Sequence, residues 1–361
     1  MTQPYRIGII AGDGIGPEVV AEGLRVLRLV SELHGFSYEL IEYPWSSRLY
    51  LERGELMPAS VLDEYRQLDA LYLGALGDPR VERGLVERSV LMAIRLGLDL
   101  YINLRPIVLH AERLTPLKGI GPSDVDLVVV RENTEDAYVG LGGVLRQGSA
   151  NEVAIAEMVF TRAGVERALR YGFELARTRN KKRKLTLVDK ANAIRPQEIW
   201  RRALTDLAAE YPDVQTEAIY VDAAAMYLVQ DPKRFDVIVT TNLFGDILTD
   251  LCAAIQGGLG SAASGNIHPG RVSLFEPIHG SAPDIAGKGI ASPVGAIAAL
   301  GMMLDYLGES DAAGSIENAI RRSLQSGLLP GFDATSGLGT REVGDIILGA
   351  IRRGAPTGTM V

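Results

Sequence analysis

The sequence predicts an α/β protein with a largely parallel sheet, and three observations carry the prediction. Short β-branched or apolar runs alternate with segments of helical periodicity, the pattern of strands covered by helices. Hydrophobic residues make up 47% of the chain and charged residues 23%, enough for a sizeable core and too apolar for a disordered chain. At 361 residues the chain exceeds one ordinary core, so two domains or one large α/β unit are expected.

From the N-terminus, "YRIGII" reads as the first strand. The turn "GDGIG" (12–16) then leads into a helix over Pro17–Leu33, where the fixed φ of Pro17 suits the first turn and Glu18 complements the positive helix end. Glycines at 12, 14 and 16 do not match the G-x-G-x-x-G spacing of a dinucleotide loop, so the turn reads as structural. "SYELIEY" is the second strand, Pro58–Gln67 a helix and "LDALYLG" the third strand, followed by the strand "DVDLVVV". Gly140–Val153 breaks both periodicities and reads as a projecting arm or hairpin. Helices over Arg162–Arg177 and Pro196–Ala209 then alternate with the strands "KLTLVD", "TEAIYVD" and "FDVIVTT". The basic run Arg177–Lys184 between helix and strand reads as a solvated loop. No internal repeat or low-complexity linker interrupts the pattern.

Several function classes are excluded at this stage. A net charge of -8, from 37 Lys and Arg against 45 Asp and Glu, argues against a nucleic-acid or anionic membrane surface. No apolar run is long enough to span a bilayer, and the N-terminus lacks a secretory pattern. The single Cys252 excludes an intrachain disulfide framework and a cysteine metal cage, so a reducing, cytoplasmic setting is expected.

The chemistry concentrates in "FDVIVTTNLFGDILTDLCAA" (235–254), where a buried strand ends, a polar loop follows and a helix is expected to start near Asp246. Carboxyl ends of parallel strands are where α/β sheets place their sites. Asp246 and Asp250 stand one helical turn apart, and two hard oxygen ligands describe a Mg²⁺ or Mn²⁺ site. The same segment also reads as a helix N-terminus capped by Asp246 with Asp250 exposed. Asp222, at the end of "AIYVD", is either a third ligand or an N-cap. Arg95, Arg105 and Arg131 stand in unusually apolar surroundings and read as planar forks for the carboxylates of a small polyanionic substrate. Tyr138 and Lys190 are candidates for proton transfer, a phenol donating and a lysine with a lowered pKa accepting.

Together "GDGIGPEVV", "NLRP", "RENTEDAYVG", "DKAN", "NLFGDILTD" and "FEPIHGSAPDIAGKGIASP" resemble the isopropylmalate/isocitrate family of β-decarboxylating dehydrogenases through nearly the whole chain. The N-terminal half looks most like the tartrate/D-malate branch, whereas "DKAN" and "VDAAAM" look more like isopropylmalate and homoisocitrate dehydrogenases. The resemblance implies a two-domain fold with a large mixed sheet, unlike a simple Rossmann domain. Residues 1–104 plus 257–361 would bind the cofactor, and 105–256 would bind substrate and dimerise through an arm near 140–153. It further implies a homodimer, or a tetramer built from it, whose active sites are completed by the second subunit.

On this pattern Asp246 and Asp250 hold the divalent cation with Asp222 of the other chain, and Arg95, Arg105 and Arg131 hold the malate carboxylates. Tyr138 is the acid and Lys190, again from the other chain, the base. NAD would be bound chiefly by "EPIHGSAPDIAGKGIASP", with Glu276, His279, Gly280, Ser281, Ala282, Ile285 and Ser292 around it and Asp284 against the ribose hydroxyls. Ile15 and Asn192 complete that set. Ser292 departs from the Asn usual in relatives. Leu91 and Met92 would read an apolar or absent C3 group. Arg88 and Ser89 resemble the "RS" of isocitrate dehydrogenases, which keeps open an isocitrate-like enzyme for a third anionic group. The other class kept open is a catalytically silent NAD-binding regulatory subunit, against which the presence of Tyr138, Lys190, Asp222, Asp246 and Asp250 speaks.

Overall fold

The computed structural model describes residues 3–332 and 336–354. Its strands are β1 (Tyr5–Gly12), β2 (Tyr38–Glu42), β3 (Ala70–Ala75), β4 (Ile102–Val108), β5 (Asp126–Glu132), β6 (Gly142–Leu145), β7 (Val153–Ala156), β8 (Lys184–Asp189), β9 (Gln215–Tyr220), β10 (Val237–Thr240), β11 (Ala263–Ile267) and β12 (Ser273–Pro277). Ten of them form the sheet strands of two compact units, five in each, and β6 and β7 pair apart from them.

One unit comprises Met1–Leu100, Val108–Pro122 and Ala253–Val361. Its strand order is β2-β1-β3-β12-β11, parallel except that β11 runs against β12. Sheets covered on both faces need strands that are apolar on both sides, and β3 is buried at every position. The helix Gly16–His34 carries Pro17 in its first turn and ends on Gly35 at φ 78, whose N–H caps the carbonyl of Ser31. The helix Val294–Tyr306 is apolar almost all round and accordingly buried.

The second unit comprises Tyr101–Ile107 and Ser123–Cys252. Its order is β4-β5-β10-β8-β9, with β5, β10, β8 and β9 paired in parallel. The helix Arg162–Arg179 starts where the Thr161 side chain accepts from the Gly164 N–H and stops at Asn180 at φ 46. The antiparallel β6–β7 hairpin exposes Leu141, Val144, Leu145, Val153 and Ile155.

The strands named from the sequence are all present. The sequence reading does not name β4, β11 and β12, because Asn103, Arg105, Asn266 and Glu276 interrupt their apolar runs with buried polar groups. The helix expected over Pro58–Gln67 contracts to Val61–Tyr65, flanked by turns. Asp222 lies in the first turn of the helix Val221–Gln230, past the end of β9, not at a strand end. The basic run is not a freely solvated loop. Arg177 pairs with Asp213, Arg179 with Asp126 and Asp236, and Lys184 with Glu217, so its charge is largely neutralised within the unit.

His110 gives the first unit a pH-dependent stability. Burial, reinforced by the Arg321 charge, pushes its imidazole down from 6.5 to about 4. Between those values the unfolded chain takes up a proton that the folded chain refuses, so stability is present above pH 6.5 and is lost as the pH falls toward 4. The loss is at most about 3 kcal/mol. Chemical denaturation from pH 7 to pH 4 is expected to flatten by that amount in His110→Gln. An unaltered slope would count against the imidazole as its source.

Candidate active site

The second unit gathers four sequence candidates around one carboxylate. β10 ends at Thr240 and the helix Asn242–Gln256 begins two residues later, so Asp246 sits in its second turn. That placement excludes Asp246 as the cap of a helix starting near itself. Arg131, next to last in β5, is 1% exposed. Its Nε donates to Asn242 Oδ1 at 2.8 Å, and its Nη1 pairs with Asp246 Oδ1. Gly245 permits this, because a Cβ there would lie 2.4 Å from Arg131 Cγ.

Arg105, on β4 and also buried, donates from Nε to Asn103 Oδ1 at 2.6 Å and bonds Thr249 through Nη1. Its guanidinium lies 3.7 Å from Asp246 Oδ1 and 3.9 Å from Asp250 Oδ1. Tyr138 donates to Asp246 Oδ2 at 2.6 Å, with the Arg131 guanidinium 5.2 Å from its ring centroid. Two arginines, two aspartates and a phenol thus form one charge-balanced array.

The electrostatics follow from that array. Burial raises the Asp246 carboxyl, but the Arg131 charge, the Tyr138 hydrogen bond and Arg105 outweigh it and hold it below the ordinary range. Asp250 moves the other way, raised by burial and by the Asp246 charge against the pull of Arg105. The Tyr138 phenol is raised by burial and by its bond to Asp246, which keeps it protonated and able to donate. Asp136 was missed by sequence reasoning. It is fully buried at φ 68, and its carboxylate accepts from the N–H groups of Ala137 and Leu243, each at 2.9 Å, tying the Tyr138 turn to the helix that carries Asp246. Its only sequence signal is an Asp in a turn.

Lys190 and Asp222 form a separate pair in the same unit. Lys190 Nζ donates to Asp222 Oδ1 at 2.7 Å, and this bond lowers the Asp222 carboxyl. Among the described residues no three His, Cys, Asp or Glu side chains converge as a metal cage, so Asp222 does not join Asp246 and Asp250 within one chain.

The first unit holds the remaining candidates except Asn192. Buried Arg95 donates to Glu276 Oε1 at 3.1 Å, and Asn266 Nδ2 donates to the same oxygen at 2.8 Å. Glu276 is therefore engaged as the counter-ion of Arg95. Arg88–Met92 form a π-helical turn. Arg88 is exposed and pairs with Glu82 at 3.4 Å, and the Ser89 hydroxyl donates to the Val86 carbonyl at 3.1 Å. Leu91 is half-buried against the core, and Met92 is half-buried beside it.

Most of the cofactor candidates lie on the loop after β12. His279 Nε2 is buried with no partner among the described residues, Ala282 stands at φ 41, and Gly280 and Asp284 are exposed. Ser281 is buried and its carbonyl accepts from the Ile15 N–H at 2.9 Å. Ile285 is half-buried, Ser292 Oγ reaches the Gly260 carbonyl at 3.4 Å, and Asn192, in the second unit, is exposed. The "GDGIG" turn braces this loop. Asp13 accepts from the N–H groups of Ser47 at 2.9 Å and Gly77 at 3.0 Å, and a Cβ on Gly14 would lie 1.9 Å from the Ser281 carbonyl oxygen.

The sequence model of the isocitrate/isopropylmalate dehydrogenase family matches residues 6–347. The chain belongs to this family. It is 50% identical over 323 residues, 89% of the chain and 91% of the relative, to a 3-isopropylmalate dehydrogenase of Thermobifida fusca. It is 48% identical over 354 residues to one of Rhodococcus erythropolis, covering 96% of the chain and all of the relative. Among solved structures, isocitrate dehydrogenase from Methylococcus capsulatus is similar at a TM-score of 0.86 and 38% identity, over 96% of this chain and 99% of that one. A β-decarboxylating dehydrogenase from Thermococcus kodakarensis is similar at 0.77 and 36%, over 97% and 96%.

The residues present in this family member fit the groups that its sequence implies. The unpartnered Nε2 of His279, buried in a loop rich in glycine, suits the polar edge of a bound nucleotide. Asp246 and Asp250 offer oxygen ligands one turn apart, the chemistry a hard divalent cation selects.

Proposed function

We propose that the chain is an NAD-dependent dehydrogenase that, with Mg²⁺ or Mn²⁺, oxidatively decarboxylates 3-isopropylmalate to a 2-oxo acid and CO₂. The carrying observation is the array of Arg105, Arg131, Tyr138, Asp246 and Asp250 in one unit of a chain about half identical to 3-isopropylmalate dehydrogenases. A homodimer with shared sites, in the cytoplasm, is part of the same reading. Asp222 stands apart from the other two aspartates within one chain, and the arm carries exposed apolar residues.

When bound, the nicotinamide supplies a hydride acceptor and the cation a Lewis acid. Arg95, Arg105 and Arg131 hold the substrate carboxylates as charge-assisted forks. A second chain's Lys190 takes the 2-hydroxyl proton, and Tyr138, held protonated by burial, gives its proton to the carbon that CO₂ leaves. Asp246, Asp250 and a second chain's Asp222 hold the cation. Asp284 disfavours a 2'-phosphate by charge, which supports NAD over NADP.

The test is NAD reduction with Mn²⁺ across 3-isopropylmalate, D-malate, tartrate, isocitrate and homoisocitrate, with CO₂ followed in parallel. Preference for a tri-anionic acid would overturn the assignment, and NAD binding without turnover of any acid would favour a regulatory subunit. The Arg88–Glu82 pair and the Ser89–Val86 bond favour an apolar C3 group over a third carboxylate. Arg88→Ala and Ser89→Ala are expected to change kcat/KM for 3-isopropylmalate by less than about threefold. A tenfold loss in either would return both residues to the substrate.

A further inference from the structure

We propose that Gln197, Arg201 and Tyr220 form a clamp that positions Lys190, an inference that rests on the reading of Lys190 as the base. None of the three was singled out in the sequence, and none belongs to the Tyr138–Asp246 array.

The clamp is built from both sides of the lysine. Asp189, the last residue of β8, is fully buried and receives a fork from Arg201, Nε to Oδ2 at 2.7 Å and Nη2 to Oδ1 at 3.0 Å. Its Oδ1 also accepts from the Ala191 N–H at 3.1 Å, so the residues before and after Lys190 share one carboxylate. The Arg201 guanidinium lies 4.5 Å from the centroid of Tyr220, the parallel register partner of Asp189 on β9. The Lys190 N–H donates to Gln197 Oε1 at 2.7 Å, and its carbonyl accepts from Ala193 at 2.9 Å and Ile194 at 2.8 Å. Both backbone polar groups of Lys190 are therefore fixed. The side chain keeps its freedom, with Nζ 5.8 Å from the Tyr220 ring and hydrogen-bonded to Asp222.

Two features exceed what a strand-to-helix turn needs. Arg201 is half-buried and spends its whole fork on a fully buried carboxylate, and a charge pair of this kind is weak evidence for stability. Gln197 is fully buried and its Nε2 has no partner among the described residues, so the amide is retained at a cost and the group in use is its acceptor. Both features fix geometry at one residue. The ammonium lies roughly 6 Å from its Cα, so a backbone rotation of about 10° moves it by about 1 Å. A displacement of that size is worth up to about a hundredfold in rate.

The experiment uses the full-length protein with NAD and Mn²⁺ for kinetics, and the protein alone for amide deuterium exchange. Gln197→Met removes the acceptor, Arg201→Lys keeps the charge and loses the fork, and Tyr220→Leu removes the ring. Each is expected to lower kcat about ten- to a hundredfold, to leave both KM values within about threefold, and to speed exchange over residues 189–194. Tyr220→Phe, which keeps the ring, is expected to recover most of the kcat lost in Tyr220→Leu. Parental kcat in the three variants, or a loss that appears only as raised KM or lowered melting temperature, would overturn the clamp. Lys190→Met separates the two readings. If it is inactive while the clamp variants turn over normally, the clamp alone fails, and if it keeps parental kcat, the base assignment fails and the clamp goes with it.

Discussion

Asp246→Asn is expected to lower kcat/KM for 3-isopropylmalate by a thousandfold or more while the chain still folds. The substitution keeps an oxygen for Tyr138 but removes the charge that faces Arg131 and Arg105 and that would bind the cation. About 4 kcal/mol of transition-state stabilisation is at stake, within the several kcal/mol that a Lewis-acid cation contributes. Because the Asp246 carboxyl is held below its ordinary range, the charge lost is one the folded state carries throughout the neutral range. Steady-state kinetics, together with Mn²⁺ binding followed by calorimetry, would check it. Turnover within tenfold of the parent would mean that Asp246 does not hold the cation.

Gly14→Ala should cost about 2 to 4 kcal/mol of stability and weaken NAD binding at least tenfold. Gly14 stands at φ 57, where a Cβ is strained, and that Cβ would lie 1.9 Å from the Ser281 carbonyl oxygen. Backbone has to move, and what moves is the loop expected to bind the nucleotide. Gly314→Ala, far from that loop in the sequence and outside the candidate site, is the control, since a Cβ there meets nothing within 4 Å. Thermal unfolding and dinucleotide titration would decide it. Parental values for both would remove the turn's role as the brace of that loop.

The "GDGIG" turn also shows how far spacing can be read. Its glycines looked like a dinucleotide loop, their spacing denied it, and the structure gives the reason each is needed. Gly12 and Gly14 occupy left-handed conformations, and Gly16 lies where a Cβ would sit 2.2 Å from the Ala11 carbonyl oxygen. Asp246 and Asp250 were legible because a four-residue interval fixes two side chains on one helical face. Arg105 and Arg131 were legible as charges inside apolar runs. Asp136, Gln197 and Arg201 were not. An Asp in a turn, a Gln and an Arg near a helix start are ordinary residues until the chain is folded around them.

The sequence by itself determined the alternation that makes the chain α/β, seven of the strands, the acidic pair on its helix and the family. These depend on local period and on ordered motifs, which survive without contacts. Only the tertiary structure decided that the Asn242 helix begins a turn before Asp246, that Glu276 is the partner of Arg95, and that the basic run is neutralised by acids from three other segments. Pairing of charges is set by distance through space, and residues 100 or more positions apart, such as Arg131 and Asp246, have no local signal that they meet.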